Sequence, residues 1–411
     1  MNVVVTGMGG ICATGASISE MEAAFEHDCR APGRSPFASH GVDVPAFAAG
    51  DVETAEGESR TVALARHAAR EALASAGLRV ASEGGNVNRA GQETGAPGDT
   101  TAGQETGAPG RRIGVCIGTT VASQLNDIPF YENLRRTGVV DRAAVARYRA
   151  GNVAEALSLA LGAQGPRLTV CNACSSGADA LGVARSWLRS NRCDIVIAGG
   201  ADELSRLAVC GFHALGVYST ERCRPFDRDR RGLNLGEGAG ILILETAEHA
   251  AARGATPLCE LAGYGAANDA HHLTAPHPDG AGLKRALAVA LSDAKAEPSD
   301  VAFVNAHGTA TPDNDRIEGK ALTEFFGRIP VVSTKGWTGH TLGAAGALEA
   351  IFTILGLRAR RIPGTAGLET PDADIPASVS TLPQIVRGDI AVSTSLAFGG
   401  CNAALAFRRC V

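Results

Sequence analysis

The feature that most constrains the fold is a series of short apolar, β-branched runs separated by longer stretches rich in alanine and leucine. The runs are NVVVTG, IGVCIGTT, RLTV, DIVIAGG, GILILE, VAFVNAHGT, VVSTK and AVSTS. Stretches long enough for helices include Ser59–Gly77, Ser175–Ser190, Leu283–Ala294 and Leu342–Arg358. Continuous apolar strands that alternate with helices predict a largely parallel sheet covered on both faces. The predicted fold class is therefore α/β.

Composition excludes several classes of function. The 411 residues carry a formal net charge of −5, and 4% of them are aromatic, so neither a positive field nor a stacking surface for nucleic acid is expected. The eleven cysteines follow no disulfide framework, and the opening MNVVVTGMGG has no basic stretch ahead of an apolar one. No window has about 18 uninterrupted apolar residues. We expect a cytoplasmic protein with reduced thiols and no membrane insertion.

One segment departs from this pattern. Residues 84–111 are rich in Gly, Pro, Thr and Gln, and the nonapeptide AGQETGAPG occurs in them twice. Such a composition buries too little apolar surface to offset chain ordering. We therefore expect a low-complexity surface insertion.

The stretch TVCNACSSGADAL contains two cysteines, Cys171 and Cys174, between a predicted strand and a predicted helix. Cys174 lies at the helix N-terminus, where free N–H groups and the helix dipole favour the thiolate. A tight strand–turn–helix also leaves a backbone N–H for an oxyanion, as in a nucleophile elbow. The alternatives are a buried structural cysteine and a redox CxxC pair. A zinc site would require a second Cys/His pair, so no metal is expected.

Two further segments carry imidazole groups. VAFVNAHGT places His307 after a predicted strand, and STKGWTGHTLGAAGALEA places Lys335 and His340 ahead of a helix. A histidine at a helix start is disfavoured as imidazolium, so His340 should be neutral and able to donate to a developing oxyanion. Together with Cys174, the pair suggests acyl transfer followed by carbanion chemistry.

These motifs, with SLAFGGCNAAL, RPFDRDRRGLNLGEGAGILILE and GYGAANDAHHLTAPHPDGAG, resemble the β-ketoacyl-acyl-carrier-protein synthases. The resemblance is to the elongating, Cys–His–His branch of these acyltransferases. It covers the chain outside residues 84–111. It implies a decarboxylative Claisen condensation of a Cys-bound acyl chain with malonyl-acyl-carrier protein, in fatty-acid or specialised polyketide or aryl-polyene synthesis. The carrier's phosphopantetheine holds the substrates, so no cofactor is expected.

The resemblance also implies a role for individual residues. Cys174 would be the acyl-accepting nucleophile, and His307 and His340 would promote decarboxylation and stabilise the enolate. Lys335 would support that pair, with Glu349 as its salt-bridge partner. The remaining implied positions are the gate and oxyanion-hole residue Phe398, whose backbone N–H acts together with that of Cys174, and the pantetheine-binding hydroxyls Thr309 and Thr311.

The implied fold is the thiolase fold, a five-layered αβαβα core made from two similar halves. We place the halves at residues 1–250, with the nucleophile, and 251–411, with both histidines. The resemblance further implies a dimer, expected as a homodimer with a heterodimer open. Arg66 and Arg70, four residues apart on a predicted helix, are candidates for docking an acidic carrier protein.

The sequence departs from the family near the nucleophile and the gate. Cys171 and Asn172 precede Ala173 and Cys174 where a Ser–Thr–Ala run is usual, and the usual GFGGTN is AFGGCN, with Ala397 and Cys401. A reversible Cys171–Cys174 disulfide is one hypothesis. The alternative function is a non-catalytic, chain-length-factor-like subunit of a heterodimer, which usually lacks the cysteine. An initiating Cys–His–Asn synthase is disfavoured by His340, and a thiolase by its different C-terminal cysteine motif.

Overall fold

The computed structural model describes residues 1–24, 31–55, 58–79, 104–105, 112–120, 128–140 and 152–410. Except for 104–105, the predicted insertion at 84–111 and its repeat lie outside the described residues. The strands are β1 Val3–Ile11, β2 Gly33–Arg34, β3 Pro45–Ala46, β4 Leu78–Arg79, β5 Gln104–Glu105, β6 Ile113–Gly118, β7 Arg167–Val170, β8 Ile195–Asp202, β9 Gly238–Thr246, β10 Cys259–Asn268, β11 Val301–Asn305, β12 Pro330–Val332, β13 Arg361–Ile362, β14 Ser378–Val379, β15 Gln384–Ile385, β16 Ile390–Ala397 and β17 Cys401–Arg408. The helices are α1 Ile18–Ala23, α2 Arg60–Ser75, α3 Ile128–Thr137, α4 Val153–Ala160, α5 Ser176–Arg189, α6 Arg206–Ala214, α7 Ala247–Ala252, α8 Ala281–Ala294, α9 Pro312–Phe326, α10 Lys335–Thr338 and α11 Ala345–Ala359.

The main sheet contains the same strand pattern twice. Its order is β14-β12-β11-β16-β17-β10-β1-β9-β8-β6-β7. In the first half β1, β9 and β8 are antiparallel neighbours, and β8, β6 and β7 are parallel. In the second half β10, β17 and β16 are antiparallel, and β16, β11 and β12 are parallel. The halves meet where β1 pairs briefly with β10.

Helices divide this arrangement into five layers. Helices α2 and α4 cover the outer face of the first half, and α8 covers the outer face of the second. Helices α5 and α11 pack against each other between the halves and contact strands of both. The order is helix, sheet, helix, sheet, helix, so the five-layered thiolase architecture that the resemblance implies is confirmed.

The central position of α11 explains its composition. The span Leu342–Ala359 is long and apolar enough to cross a membrane, but 89% of it is buried inside the protein. A helix that is apolar all round suits a layer with protein on both sides. This span is therefore a core helix.

Glycines on β1 permit the close approach of α2. A Cβ on Gly9 would lie 2.0 Å from the carbonyl oxygen of Ala68, and one on Gly7 would lie 2.2 Å from that of Ala72. Ser59 caps the helix by accepting from the N–H of Val62 at 3.3 Å. The small residues of β1 and α2 thus set the outer layer of the first half.

The expectation of a largely parallel sheet is wrong, because the sheet is mixed. Strands β9 and β17 each run antiparallel to both of their neighbours. Apolar runs buried on both faces indicate coverage by helices, and they do not reveal strand direction. The sequence reasoning also missed β10 and β17 as strands. The first half ends with β9 at Thr246 and the second begins with β10 at Cys259, on either side of the proposed boundary.

Candidate active site

A strained turn presents Cys174 at the start of a central-layer helix. β7 ends at Val170 and α5 begins at Ser176, as expected. Ala173, directly before Cys174, has φ of 47°, a left-handed conformation that costs a non-glycine residue about 1 kcal/mol. The Ser176 hydroxyl donates to the Ala173 carbonyl at 2.6 Å and accepts from the Asn172 N–H at 2.8 Å. These bonds hold the turn that exposes the thiol to the cavity.

His307 follows β11 and is fixed through its backbone. The carboxylate of Glu318 accepts from the N–H groups of His307 and Gly308, both at 2.8 Å. The side chain of Thr394 donates to the same carboxylate at 2.8 Å. Sequence reasoning missed Glu318, although it lies eleven residues after His307 on α9.

His340 belongs to the corresponding turn of the second half. Gly339, with φ of 66°, precedes it, and a short 3₁₀ turn at Leu342–Ala344 leads into α11. His340 Nε2 lies 2.9 Å from Cys174 Sγ. The rings of His307 and His340 are nearly perpendicular, with centroids 5.1 Å apart. The structure therefore brings together the three residues that the sequence singled out.

Lys335 and Glu349 lie behind the imidazoles. Lys335 Nζ is 3.1 Å from His307 Nδ1 and forms a short ion pair with Glu349, and both side chains are almost fully buried. An ammonium group can only donate, so Nδ1 accepts and the ring proton of neutral His307 is on Nε2. The expected Lys335–Glu349 contact is thus present.

Burial shapes the charge state of this cluster. Burial, assisted by the Lys335 charge, holds the pKa of His307 and of His340 well below the usual value. The expectation that His340 is neutral is confirmed in direction, although burial rather than a helix end is the main cause. Burial raises the pKa of Glu349 to about 7, opposed by Lys335. At neutral pH both imidazoles are uncharged.

The expected thiolate character of Cys174 is not found in the resting site. Burial raises the pKa of the Cys174 thiol to about 12, despite the Lys335 charge and a hydrogen bond from the Phe398 N–H. The Cys174 side chain is enclosed between the two halves, and desolvation there outweighs the helix start. The resting group is a thiol with a neutral imidazole nitrogen at hydrogen-bond distance.

These groups open into one cavity of about 260 Å³. Its lining includes Cys174, both histidines and the hydroxyl residues Thr309 and Thr311, and the Thr309 and Thr311 hydroxyl oxygens are 2.8 Å apart. The Phe398 ring closes one side and stacks on Phe212, with centroids 5.4 Å apart. Phe212, which the sequence reasoning did not single out, also meets the His340 ring edge-on.

Arg66 does not lie at this cavity. Its guanidinium pairs with Glu58 at 2.9 Å and its side chain is 11% exposed. Arg66 and Arg70 line a separate cleft that shares no lining residue with the cavity at Cys174. Arg66 is thus paired with an intramolecular carboxylate, and its role in docking an acidic partner stays a prediction. Arg70 is exposed and stays a prediction.

The described residues form no cluster typical of a metal site. Within the described ranges no group of three or more His, Cys, Asp or Glu side chains could hold a metal ion. Buried side-chain oxygens without a hydrogen-bond partner include Asn305 Oδ1, Glu349 Oε2, Ser393 Oγ and Ser395 Oγ. Because Glu349 is paired with the buried Lys335 ammonium, a cation at that carboxylate is disfavoured.

The remaining cysteine hypothesis is not tested by this arrangement. Cys171 is exposed and its thiol is 3.4 Å from the Thr120 carbonyl oxygen. Cys174 is buried and faces His340. Both thiols are free, and the proposed Cys171–Cys174 disulfide stays a prediction.

A layered fold with Cys, His and His around one cavity defines a condensing-enzyme scaffold, and family models identify it. Residues 1–250 match the β-ketoacyl synthase N-terminal domain and residues 258–369 match the C-terminal domain. The chain belongs to the β-ketoacyl synthase family and has the thiolase fold.

Individual relatives agree with this assignment. The chain is 41% identical over 264 residues to 3-oxoacyl-[acyl-carrier-protein] synthase 2 of Staphylococcus aureus, and the match covers 62% of this chain and 64% of that protein. A β-ketoacyl synthase structure from Burkholderia phymatum has 32% identity, a TM-score of 0.86 and full coverage of both chains. The ishigamide ketosynthase/chain length factor structure has 30% identity and a TM-score of 0.86, with 100% of this chain and 99% of that one covered.

Proposed function

We propose that this protein is a 3-oxoacyl-acyl-carrier-protein synthase that condenses a Cys174-bound acyl chain with malonyl-acyl-carrier protein. The observation that carries the proposal is the 2.9 Å contact between Cys174 Sγ and His340 Nε2, beside His307 in one cavity. A nucleophile within reach of a neutral base suits acyl transfer. Two neighbouring imidazoles suit stabilisation of an enolate.

The first step is acylation of Cys174. Because the resting group is a thiol, His340 Nε2 accepts its proton as Sγ attacks the thioester carbonyl of the acyl-carrier protein. The Phe398 N–H, which already points at Sγ, and the Cys174 N–H stabilise the tetrahedral oxyanion. The carbon–sulfur bond to pantetheine then breaks, and the proton from His340 neutralises the departing thiolate. The products are acyl-Cys174 and free carrier protein.

The second step is decarboxylation of malonyl-carrier protein. The bond between the α-carbon and the carboxylate breaks, carbon dioxide leaves, and the electron pair moves onto the thioester as an enolate. His307 donates from Nε2 to the enolate oxygen, and Lys335 fixes that tautomer by bonding Nδ1 at 3.1 Å. The ring proton of neutral His340 must move from Nδ1 to Nε2 after acylation, and Nε2 is then placed to donate to the same oxygen. The proximity of both rings to Sγ places the α-carbon beside the acyl-Cys174 thioester.

Carbon–carbon bond formation completes the cycle. The enolate α-carbon attacks the acyl-Cys174 carbonyl, and the carbon–sulfur bond breaks to release 3-oxoacyl-carrier protein. The departing Cys174 thiolate takes one proton from solvent, which balances the reaction with the carbon dioxide released. Thr309 and Thr311 hold the pantetheine arm of both substrates through their paired hydroxyls. No redox cofactor enters this sequence of steps.

The acyl carrier protein is the partner that this chemistry requires, and the name of the Staphylococcus aureus relative supports it. We also propose a dimer formed through β7, one of the two edge strands of the described main sheet. A sheet edge offers a row of backbone groups for pairing with another chain. Leu168 on β7 is 42% exposed and Leu159 on the adjoining α4 is 72% exposed. A second copy would cover both.

Fatty-acid elongation and a specialised polyketide or aryl-polyene pathway use the same chemistry, and a cytoplasmic setting suits both. A chain-length-factor-like subunit is the second candidate, supported by the ishigamide structure, whose title names such a factor. The presence of Cys174, His307 and His340 in contact favours the active synthase.

The test supplies acyl- and malonyl-carrier proteins to the full-length protein and detects 3-oxoacyl-carrier protein by mass spectrometry. A product two carbons longer, with one carbon dioxide released for each, is the expected result. A homogeneous dimer that gives no product, and gains activity on addition of a second synthase chain, would establish the partner-subunit role instead.

A further inference from the structure

The two places where the sequence departs from its family are in direct contact. Asn172 lies in the turn that presents Cys174, and Cys401 is the first residue of β17. The Cys401 thiol donates to Asn172 Oδ1 at 3.1 Å. This bond joins residues that are 229 positions apart, one from each half of the molecule.

Cys401 closes the hairpin that carries Phe398. Ala397 and Cys401 are paired across β16 and β17, with residues 398–400 forming the turn between them. Asn268 Nδ2 donates to the Gly399 carbonyl at 2.9 Å and lies 3.4 Å from Cys401 Sγ. Because the hairpin is tight, a shift at Cys401 is transmitted to the Phe398 N–H.

A buried carboxylate holds Asn172 from the other side. Asn172 Nδ2 donates to Asp179 at 2.6 Å, and the hydroxyls of Ser175 and Tyr264 donate to the same carboxylate at 2.7 Å each. Asp179 is 6% exposed and lies in the first turn of α5, where the helix end favours a negative charge. Asp179 therefore fixes the Nδ2 donor of the Asn172 side chain, and the Oδ1 acceptor faces Cys401.

On the premise of the proposed function, we propose that Asn172 and Cys401 are positioning residues for the oxyanion site. Its two backbone donors, the N–H groups of Cys174 and Phe398, belong to different halves and to chain segments that can shift independently. Donors of this kind act only when they are held within about 0.5 Å of the required geometry. The Asn172–Cys401 bond ties the nucleophile turn to the gate hairpin and sets the spacing of these two donors.

The test compares Cys401→Ala, Asn172→Ala and the double variant, with Cys401→Ser as the conservative replacement that keeps a donor. Cys410→Ala, which removes an exposed thiol at the end of the chain, is the matched control. Two rates are measured: acylation of Cys174 at saturating acyl-carrier protein, and alkylation of Cys174 by iodoacetamide. Thermal midpoints are recorded in parallel.

We expect each alanine variant to lower the saturating acylation rate about tenfold, because removing a group that orients a reactive group commonly has an effect of this size. The half-saturating concentration of acyl-carrier protein should change little. The double variant should be no slower than the slower single variant, because both remove one interaction. Cys401→Ser and Cys410→Ala should acylate within about twofold of the unmodified protein. Cys401→Ser keeps a donor to Asn172 Oδ1, and Cys410→Ala leaves the site unchanged. The rate of Cys174 alkylation by iodoacetamide should change by the same factor in Cys401→Ala and in Asn172→Ala.

Full acylation rates in Cys401→Ala, or effects of the two substitutions that multiply, would overturn the inference. A lower thermal midpoint with an unchanged saturating rate would mark the contact as structural only, and would also overturn it. If no carrier protein acylates even the unmodified protein, the proposed function fails. The alkylation rate of Cys174 then tests the positioning role by itself. Equal, non-additive changes of this rate in Cys401→Ala and Asn172→Ala would support the role, and independent changes would contradict it.

Discussion

In the first half of the molecule β7 leads into α5 through Ala173 and Cys174, and in the second half β12 leads toward α11 through Gly339 and His340. Both turns place a residue with positive φ directly before the reactive group, at 47° and 66°. Their side chains meet at 2.9 Å. The same topological position thus supplies a thiol in one half and an imidazole in the other.

The surroundings of the two turns differ in charge. The nucleophile turn is backed by neutral hydroxyl and amide groups and by the Asp179 carboxylate. The imidazoles are backed by the buried Lys335–Glu349 pair. We infer that the first half supplies the covalent nucleophile, whereas the second half supplies the proton acceptor His340 and the electrostatic control of decarboxylation by His307. Variants at Cys174 and at His307 should therefore impair different steps.

Replacing the nucleophile should give the largest effect. Cys174→Ala should lower the rate of 3-oxoacyl-carrier protein formation by more than about a thousandfold, as loss of a nucleophile does elsewhere. Decarboxylation of malonyl-carrier protein, measured as carbon dioxide release, should persist because His307 and His340 are unchanged. Loss of both condensation and decarboxylation in a folded Cys174→Ala protein would contradict the assignment of the two steps to different residues.

Replacing His307 should give the converse result. His307→Ala should lower carbon dioxide release by about a hundredfold or more, because it removes the Nε2 donor to the enolate. Acylation of Cys174 should continue, since its proton acceptor is His340. The measurement is carbon dioxide release beside intact mass of the acylated protein, and a His307→Ala protein that cannot be acylated would contradict the assignment.

The buried ion pair should matter most for stability. Glu349→Gln leaves the Lys335 ammonium buried without its counter-charge, and it should lower the free energy of unfolding by about 3 kcal/mol. Denaturant unfolding measures this change. Arg34→Gln, which removes one partner of an exposed pair with Asp43, is the matched control, and it should change stability by at most about 1 kcal/mol. Equal losses of unfolding free energy in Glu349→Gln and Arg34→Gln would show that burial does not determine how much the Lys335–Glu349 pair contributes to stability.

The residues before the two reactive groups should respond unequally. A Cβ on Gly339 would lie 2.8 Å from the Phe47 ring and 2.9 Å from the Gly236 nitrogen. With the added strain of positive φ, Gly339→Ala should destabilise the protein by about 2 kcal/mol. Ala173→Gly relieves strain but frees the unfolded chain, so its effect should be within about 1 kcal/mol. Denaturant midpoints of the two variants decide whether the turns differ in this way.

The acylation rate should depend little on pH in the mildly acidic range. A histidine of ordinary pKa near 6.5 would be only about one-quarter neutral at pH 6.0. Burial lowers the pKa of His340, so the neutral base persists as the pH falls toward 6. Single-turnover acylation at pH 6.0 should stay within about twofold of its value at pH 7.5. A decline with a midpoint near 6.5 would show that His340 titrates normally.

Local sequence signals were sufficient for much of the site. The apolar run RLTV followed by small residues predicts the strand, turn and helix at Cys174. The motifs around His307 and His340 indicate that these two histidines act together with Cys174. Residues that the resemblance marks, such as Lys335 and Glu349, also lie in contact. These features depend on residues close together in the chain or on motifs in a known order.

Other features depend on contacts between distant segments and could not be predicted from local patterns. Only the family resemblance implied two similar halves, because the duplicated strand order has no visible repeat in the sequence, and strand direction is not encoded in apolar runs. The raised pKa of Cys174 results from enclosure between the two halves, which helix-end reasoning omits. Arg66 is neutralised by Glu58, which packs beside it only in the folded chain. The Asn172–Cys401 bond likewise exists only because the halves pack together.

The most direct test of the account is the intact mass of the unmodified protein and of its Cys174→Ser and Cys171→Ser variants after incubation with a panel of acyl-carrier proteins. We predict one acyl group on the unmodified protein and on Cys171→Ser, and none on Cys174→Ser. Acylation that survives in Cys174→Ser, or is lost in Cys171→Ser alone, would contradict the assignment of Cys174 as the nucleophile.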